Sequence, residues 1–425
     1  MSSPLHYALD GIHCEPHFFT VPLDHQHPDE EATLTLFGRT LCRKDKLDDD
    51  LPWLLYLQGG PGFGAPRPTA DGGWIKRALQ EFRVLLLDQR GTGHSTPISA
   101  DALAGMTPGQ QADYLGHFRA DSIVRDAECI REMLSPGRPW SLLGQSFGGF
   151  CSLTYLSLFP RSLHEVYLTG GVAPIGHSAD EVYRATYQRV ADKNRAFFTR
   201  FPHAQALANR LANHLHHHDV RLPNGQRLTV EQLQQQGLDL GASGAFEALY
   251  YLLEDAFIGE RLNPAFLYQV QAMQPFNTNP VFAILHELIY CEGSASNWAA
   301  ERVRREFPAL AWAPGKDFAF TGEMIFPWMF EQFRELIPLK EAAHLLAQKA
   351  DWGPLYDPAQ LARNTVPVAC AVYAEDMYVE FDYSRDTLKG LGNSRAWITN
   401  EYEHNGLRVD GERILDRLIR MNRDR

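Results

Sequence analysis

The chain has 425 residues, 44% of them hydrophobic, and carries 52 acidic against 40 basic residues for a net charge of −12. That length exceeds one ordinary domain, so a large body with an inserted or appended domain is expected, and the acidic balance disfavours nucleic acid and anionic membrane as partners. The six cysteines (Cys14, Cys42, Cys129, Cys151, Cys291, Cys370) are scattered without a Cys-x-x-Cys, there is no basic-then-apolar leader pattern, and no apolar run reaches about 18 residues. A soluble, cytoplasmic protein with free thiols and no metal site is expected.

In chain order, His17 to Leu23 and Ala32 to Cys42 are rich in β-formers and flank a polar, Pro-containing turn, the pattern of an antiparallel hairpin. Trp53 to Leu57 is a short, wholly apolar run that passes directly into Gln58-Gly59-Gly60-Pro61-Gly62, as a buried parallel strand ending in a Gly-rich loop would. Phe82 to Leu87 is a second such run, closed by Asp88-Gln89-Arg90-Gly91-Thr92-Gly93-His94-Ser95. Arg119 to Leu134 has helical spacing, and Glu165 to Leu168 is one more strand. Strand and helix alternate, which predicts an α/β body.

Between that helix and that strand lies Trp140 to Phe150, WSLLGQSFGGF, in which an apolar run meets Gly-x-Ser-x-Gly and then a helix-compatible stretch. This is the pattern of a nucleophile elbow, with Ser146 on a strained turn and Gly144, Gly148 and Gly149 leaving room for strand and helix to cross. From residue 173 to residue 350 helix patterns replace strand patterns, which predicts a helical insertion into a body made of 1–172 and 351–425. The tract His214-Leu215-His216-His217-His218 follows a polar helix and precedes a Pro-Asn-Gly turn, so it is read as a solvated surface and not a metal site. The α/β pattern resumes with Val366 to Ala374, a helix near Asp382 to Leu391, a strand at Ala396 to Thr399 and an amphipathic helix from Glu412 to Met421.

A serine is a poor nucleophile at neutral pH unless a base takes its proton and a carboxylate orients that base. In chains with such an elbow, the acid and then the histidine follow the serine. His404 is the sole histidine after the resumed strand and sits in the loop after the last one, so it is the expected base. The acid should lie just past Val366 to Ala374, where Asp376 is preferred, with Glu375 and Asp382 as fallbacks. Backbone donors for an oxyanion should come from Phe147 and from Gly60, with Gly59 the alternative. The same glycines do not read as a phosphate cradle, because no Gly-Lys-Ser/Thr or Gly-x-Gly-x-x-Gly follows, and no cofactor is expected. Arg90 is expected to brace loop carbonyls or a carboxylate through its five-donor fork.

Gln58-Gly59-Gly60-Pro61-Gly62, Asp88-Gln89-Arg90-Gly91-x-Gly93-x-Ser95 and Gly144-Gln145-Ser146-x-Gly148-Gly149 together resemble the proline iminopeptidases in their longer bacterial form. Gly322-Glu323-Met324 and Asp351-Trp352 extend the likeness more weakly into the insertion. The resemblance implies an α/β-hydrolase fold, a mostly parallel sheet flanked by helices with an inserted helical cap, and release of N-terminal proline from small peptides. Many members carry His where this chain has Gln58 and Trp where it has Phe147. An aminopeptidase must pair one cationic imino group with an anion, and Glu287 and Glu323 stand in apolar cap sequence suited to that, with Glu292 in reserve. Two other readings stay open: an esterase or amidase acting on small acyl compounds, and a non-catalytic binding protein on the same fold. Nothing in the sequence sets the oligomeric state.

Overall fold

The computed structural model describes residues 7–28 and 31–424. Its strands are β1 (Tyr7–Leu9), β2 (Ile12–Pro22), β3 (Thr33–Arg43), β4 (Trp53–Leu57), β5 (Arg83–Asp88), β6 (Trp140–Gln145), β7 (Leu163–Thr169), β8 (Phe257–Ile258), β9 (Arg261–Leu262), β10 (Val368–Tyr373) and β11 (Ser394–Thr399). Among the described residues nine of these form one sheet in the order β1-β2-β3-β5-β4-β6-β7-β10-β11. β1 to β3 pair antiparallel, as does β3 with β5, and every other neighbour in the sheet is parallel. The N-terminal hairpin is longer than its composition indicates, because β2 and β3 stay in register from Ile12 opposite Arg43 to Pro22 opposite Thr33.

The apolar runs are continuous because the central strands are covered on both faces. Leu54, Tyr56, Val84, Leu86, Leu143, Tyr167, Ala369 and Ala371 point into one core, against the helices Gly73–Ala78 and Gly411–Arg423. Their neighbours Leu55, Leu57, Leu85, Leu87, Leu142, Val166 and Leu168 point into the other, against Ala120–Leu134 and Phe147–Leu158. Between β7 and β10 the chain is helical apart from the two-stranded β8–β9 ribbon, and its longest helix, Ala179–Arg200, starts at a capping box in which Ser178 and Glu181 exchange side-chain and backbone bonds. Its buried side chains, Phe197, Leu249, Phe320 and Phe330 among them, belong to the same core as the second face of the sheet. No helix among the described residues is long and apolar enough to cross a membrane.

The loop after β5 is fastened by charges that water does not reach. Asp88 accepts from the backbone N–H of Ala65 (2.8 Å) and of His94 (2.9 Å), which ties the Gly-rich loop after β4 to its own. Arg90 forks onto Asp126 at 2.7 and 2.6 Å and also donates to the carbonyls of Leu23 (2.9 Å) and Pro22 (3.2 Å), with both charged side chains at most 1% exposed. Removing Arg90 leaves the buried Asp126 carboxylate with only His25, 2.7 Å away, as a side-chain partner. Arg90→Ala should therefore lower stability by about 3 kcal/mol or more together with activity, as read by denaturant melts; a clean rise in KM at unchanged stability would contradict it.

Candidate active site

Four loops at the C-terminal edge of the parallel strands converge, the usual location of a ligand site in such sheets. Ser146 follows β6 directly and has φ +54° and ψ −126°, a conformation that a side-chain-bearing residue holds only when its surroundings enforce it. The enforcement is backbone contact. A Cβ on Gly148 would lie 1.9 Å from the Leu57 carbonyl oxygen, and one on Gly149 would lie 2.1 Å from that of Gly171. The helix Phe147–Leu158 can start here only with glycine at both positions. Phe147 supplies that helix's first N–H, which has no acceptor inside the helix. Its side chain is buried, edge-on to Phe150.

Asp376 and His404 come together after β10 and β11. His404 Nδ1 lies 2.7 Å from Asp376 Oδ2, while Asp376 Oδ1 accepts the N–H groups of Tyr378 (2.8 Å) and Val379 (3.0 Å), so both carboxylate oxygens are held. Of the two fallbacks, Glu375 is exposed, and Asp382 is exposed with Arg385 as its neighbour at 3.7 Å. Burial acts to lower the titration of His404, but the charge and hydrogen bond of Asp376, with a further contribution from Glu323, outweigh it and Arg408, and the net shift is upward.

Ser146 and His404 open onto one cavity of about 430 Å³, whose wall also includes Gly59, Gly60, Phe63, Phe282, Met273, Tyr378, Asp239, Glu323 and Arg408. The helical segment is docked on the histidine loop itself. His404 N–H donates to the Gly241 carbonyl (3.1 Å), Ser243 N–H to Asn405 Oδ1 (2.9 Å), and Tyr378 Oη to the Leu238 carbonyl (2.5 Å). Gln235 Nε2 in turn reaches the carbonyls of Gly322 (3.2 Å) and Met324 (3.3 Å), which sets the Asp239 and Glu323 turns side by side.

The three glutamates expected at an amine site part company. Glu323 lines the cavity, its Oε2 3.3 Å from His286 Nε2. Glu287 does not line it: its oxygens accept from Ala299 (3.2 Å) and Ala300 (2.9 Å), the first amides of the helix Ala299–Arg304. The correction has a simple cause, since a buried carboxylate is held by whichever donors surround it, and here they are unpaired helix amides. Its charge still acts on Tyr183 together with that of Glu323. Glu292 lies outside the cavity as well, accepting from Leu355 (2.6 Å) and Tyr356 (3.1 Å). Asp239, which sequence reasoning passed over, takes a place on the wall instead. Its carboxyl is pushed up by desolvation, and no cation among the described residues stands within ion-pair distance of it. The signal was available in Gly237-Leu238-Asp239-Leu240-Gly241, an acid between leucines.

A strained serine between β6 and its helix, with an Asp–His pair carried on the next strands of a mostly parallel sheet, places the chain among the α/β hydrolases. A family model described as alpha/beta hydrolase fold matches residues 52–318. A proline iminopeptidase from Aeromonas sobria is 90% identical over 424 residues, covering 100% of both chains, and one from Aspergillus aculeatus is 37% identical over 420 residues, covering 96% of this chain and 93% of its own. A solved proline iminopeptidase from Mycobacterium smegmatis aligns over 96% of this chain and 99% of its own, at 14% identity and a TM-score of 0.46. The chain belongs to the proline iminopeptidase family.

An imidazole that acts as a general base must be neutral, so the raised titration of His404 predicts a visible consequence. Acylation of Ser146 by a neutral reagent should rise with pH along a limb centred above the ordinary imidazole value of about 6.5. Glu323→Gln removes a charge that favours imidazolium and should move that limb to lower pH. A midpoint that stays in place or moves upward in the variant would refute the coupling.

Proposed function

We propose that this chain is a serine exopeptidase that releases proline from the N-terminus of small peptides through an acyl-enzyme. The observation that carries the reading is the joint presence, in one cavity, of Ser146, a His404 oriented by Asp376, and two carboxylates, Asp239 with no ion-pair partner among the described residues and Glu323 facing His286. In this reading residues 173–350 form the cap that recognises substrate, on the body of 1–172 and 351–425. Ser146 Oγ attacks the prolyl carbonyl as His404 takes its proton; the N–H groups of Phe147 and Gly60, with Gly59 alongside, receive the oxyanion; His404 returns the proton to the leaving amine; and water then repeats the cycle on the acyl-enzyme. Asp239 and Glu323 hold the imino cation, and Phe63, Phe282 and Met273 offer the apolar surface on which a pyrrolidine ring packs. Glu287 adds negative potential from behind the wall.

The acidic cap wall favours this reading over an esterase for neutral acyl compounds, since two carboxylates on one cavity wall attract a cationic substrate and offer nothing to a neutral one. A panel of aminoacyl naphthylamides tests it directly: proline should be strongly preferred, and equal or better turnover of simple acyl esters would overturn it. Ser146→Ala should remove roughly 10⁴-fold or more of kcat with the fold retained, and Asp376→Asn should cost heavily through the wrong His404 tautomer. A dead Glu375→Gln beside a near-normal Asp376→Asn would move the acid to Glu375.

The amine site has its own test. Asp239→Asn and Glu323→Gln should each weaken hydrolysis of prolyl amides by about 2 kcal/mol or more, while acylation of Ser146 by a neutral reagent, measured above the His404 titration, changes far less. Parallel loss of both activities in both variants would make these carboxylates structural.

A further inference from the structure

The cavity's charges are sorted by wall. Asp239 and Glu323 come from the helical segment, whereas Arg408 comes from the body, on the short helix Gly406–Val409 that follows the His404 loop. Among the described residues no carboxylate pairs with Arg408 and no acceptor bonds its guanidinium. Neighbours on the same stretch behave otherwise: Arg413 pairs with Glu401 at 2.9 Å and Arg423 reaches Glu165 at 3.5 Å. An arginine in a cavity, within reach of acidic chain yet free of it, has its five donors open to whatever enters. It is also near enough to act electrostatically on His404 and on Tyr56, whose hydroxyl donates to Gln58 at the start of the Gly-rich loop. Arg408 thus stands on the body wall beside the group that must protonate the leaving amine.

A peptide of two residues fits that polarity. With its imino cation at the cap acids and its carbonyl at Ser146, its nitrogen faces His404. In a dipeptide the carboxylate carbon follows that nitrogen by only two bonds, N–Cα and Cα–C, or roughly 2.5 Å of through-space reach. A free carboxylate then falls on the His404 side of the cavity, where a planar guanidinium can take it in a fork. We propose that Arg408 is a specificity-determining residue on the leaving-group side, binding the free α-carboxylate of the residue after proline and making prolyl dipeptides in free-acid form the favoured substrates. The proposal rests on the exopeptidase reading above and deepens it by naming the far end of the substrate.

The test compares kcat/KM for prolylglycine, prolylglycinamide and prolyl-β-naphthylamide in wild type, Arg408→Gln and Arg408→Lys, on the alkaline plateau of the pH profile so that a moved His404 titration does not enter. Wild type should favour the free acid over the amide by about tenfold. Arg408→Gln should bring that ratio close to one, and Arg408→Lys, which keeps the charge and loses the fork, should retain part of it. A wild-type ratio of one, or a ratio unchanged in Arg408→Gln, overturns the proposal even if prolyl-β-naphthylamide is cleaved well. Failure to cleave any of the three in wild type brings down the exopeptidase reading and this proposal together. Because the Arg408 side chain is exposed and makes no hydrogen bond or ion pair among the described residues, the melting temperatures of the variants should match wild type, and the wild-type ratio decides the matter independently of them.

Discussion

The close crossing of β6, its turn and the helix Phe147–Leu158 is the constraint on which the rest depends. The main chain of Gly148 rides against Leu57 of β4, and that of Gly149 against Gly171 after β7. Three strands and one helix therefore meet at backbone contact around Ser146. The contact stores the strain seen in the serine's positive φ and presents its side chain outward at the sheet edge. It also sets the place of the Gly-rich loop, since a Cβ on Gly59 would come within 2.8 Å of the Ser146 Cβ. Ser146 and the Gly-rich loop are thus positioned against each other by main chain.

A second constraint couples the helical segment to the catalytic loops. Tyr378 lies two residues past Asp376, sets its ring tilted by 60° with its centroid 4.7 Å from that of His404, and donates its hydroxyl to the segment's Leu238 carbonyl. The backbone of His404 itself bonds Gly241, and a Cβ on Gly241 would strike the Tyr378 ring at 2.3 Å. The turn that carries Asp239 is thus fixed by the loops of Asp376 and His404. In the proposed mechanism substrate recognition and proton transfer would share one set of contacts, so a substitution in the 235–241 turn would be felt at His404 without touching it.

The catalytic body was legible in the sequence because its signals are local. WLLYL reads as a two-faced buried strand wherever it lies, and the glycines around Ser146 announce a crossing without any knowledge of the partner. His404 was found by order and scarcity, and Asp376 by its place after a strand. The cap wall was not legible in the same way. Glu287 and Glu323 look alike in sequence, each an acid in apolar surroundings, and what separates them is whether two orphan helix amides happen to be near. Asp239 was available by the same rule and was passed over, since its stretch is too short to be read as buried. Arg408 gave no local sign, because an unpaired arginine is recognised only by the carboxylates that fail to reach it.

The arrangement of charge has a consequence for the catalytic cycle. His404 feels the charges of Asp376 and Glu323 against that of Arg408, and the negative groups prevail. In the proposed mechanism, a prolyl cation settling against Glu323 would cancel part of that negative field, and imidazolium would lose support that it had without substrate. Binding would then release His404 into its neutral form, and by linkage a neutral His404 would favour the bound cation. A carboxylate arriving at Arg408 would act in the opposite sense, screening the cation that opposes imidazolium, and would help hold the proton that His404 must pass to the leaving amine. The two ends of one small zwitterion would thus pull the same histidine toward its two roles, base first and acid afterwards, and departure of the leaving residue would restore the field needed for water to attack the acyl-enzyme.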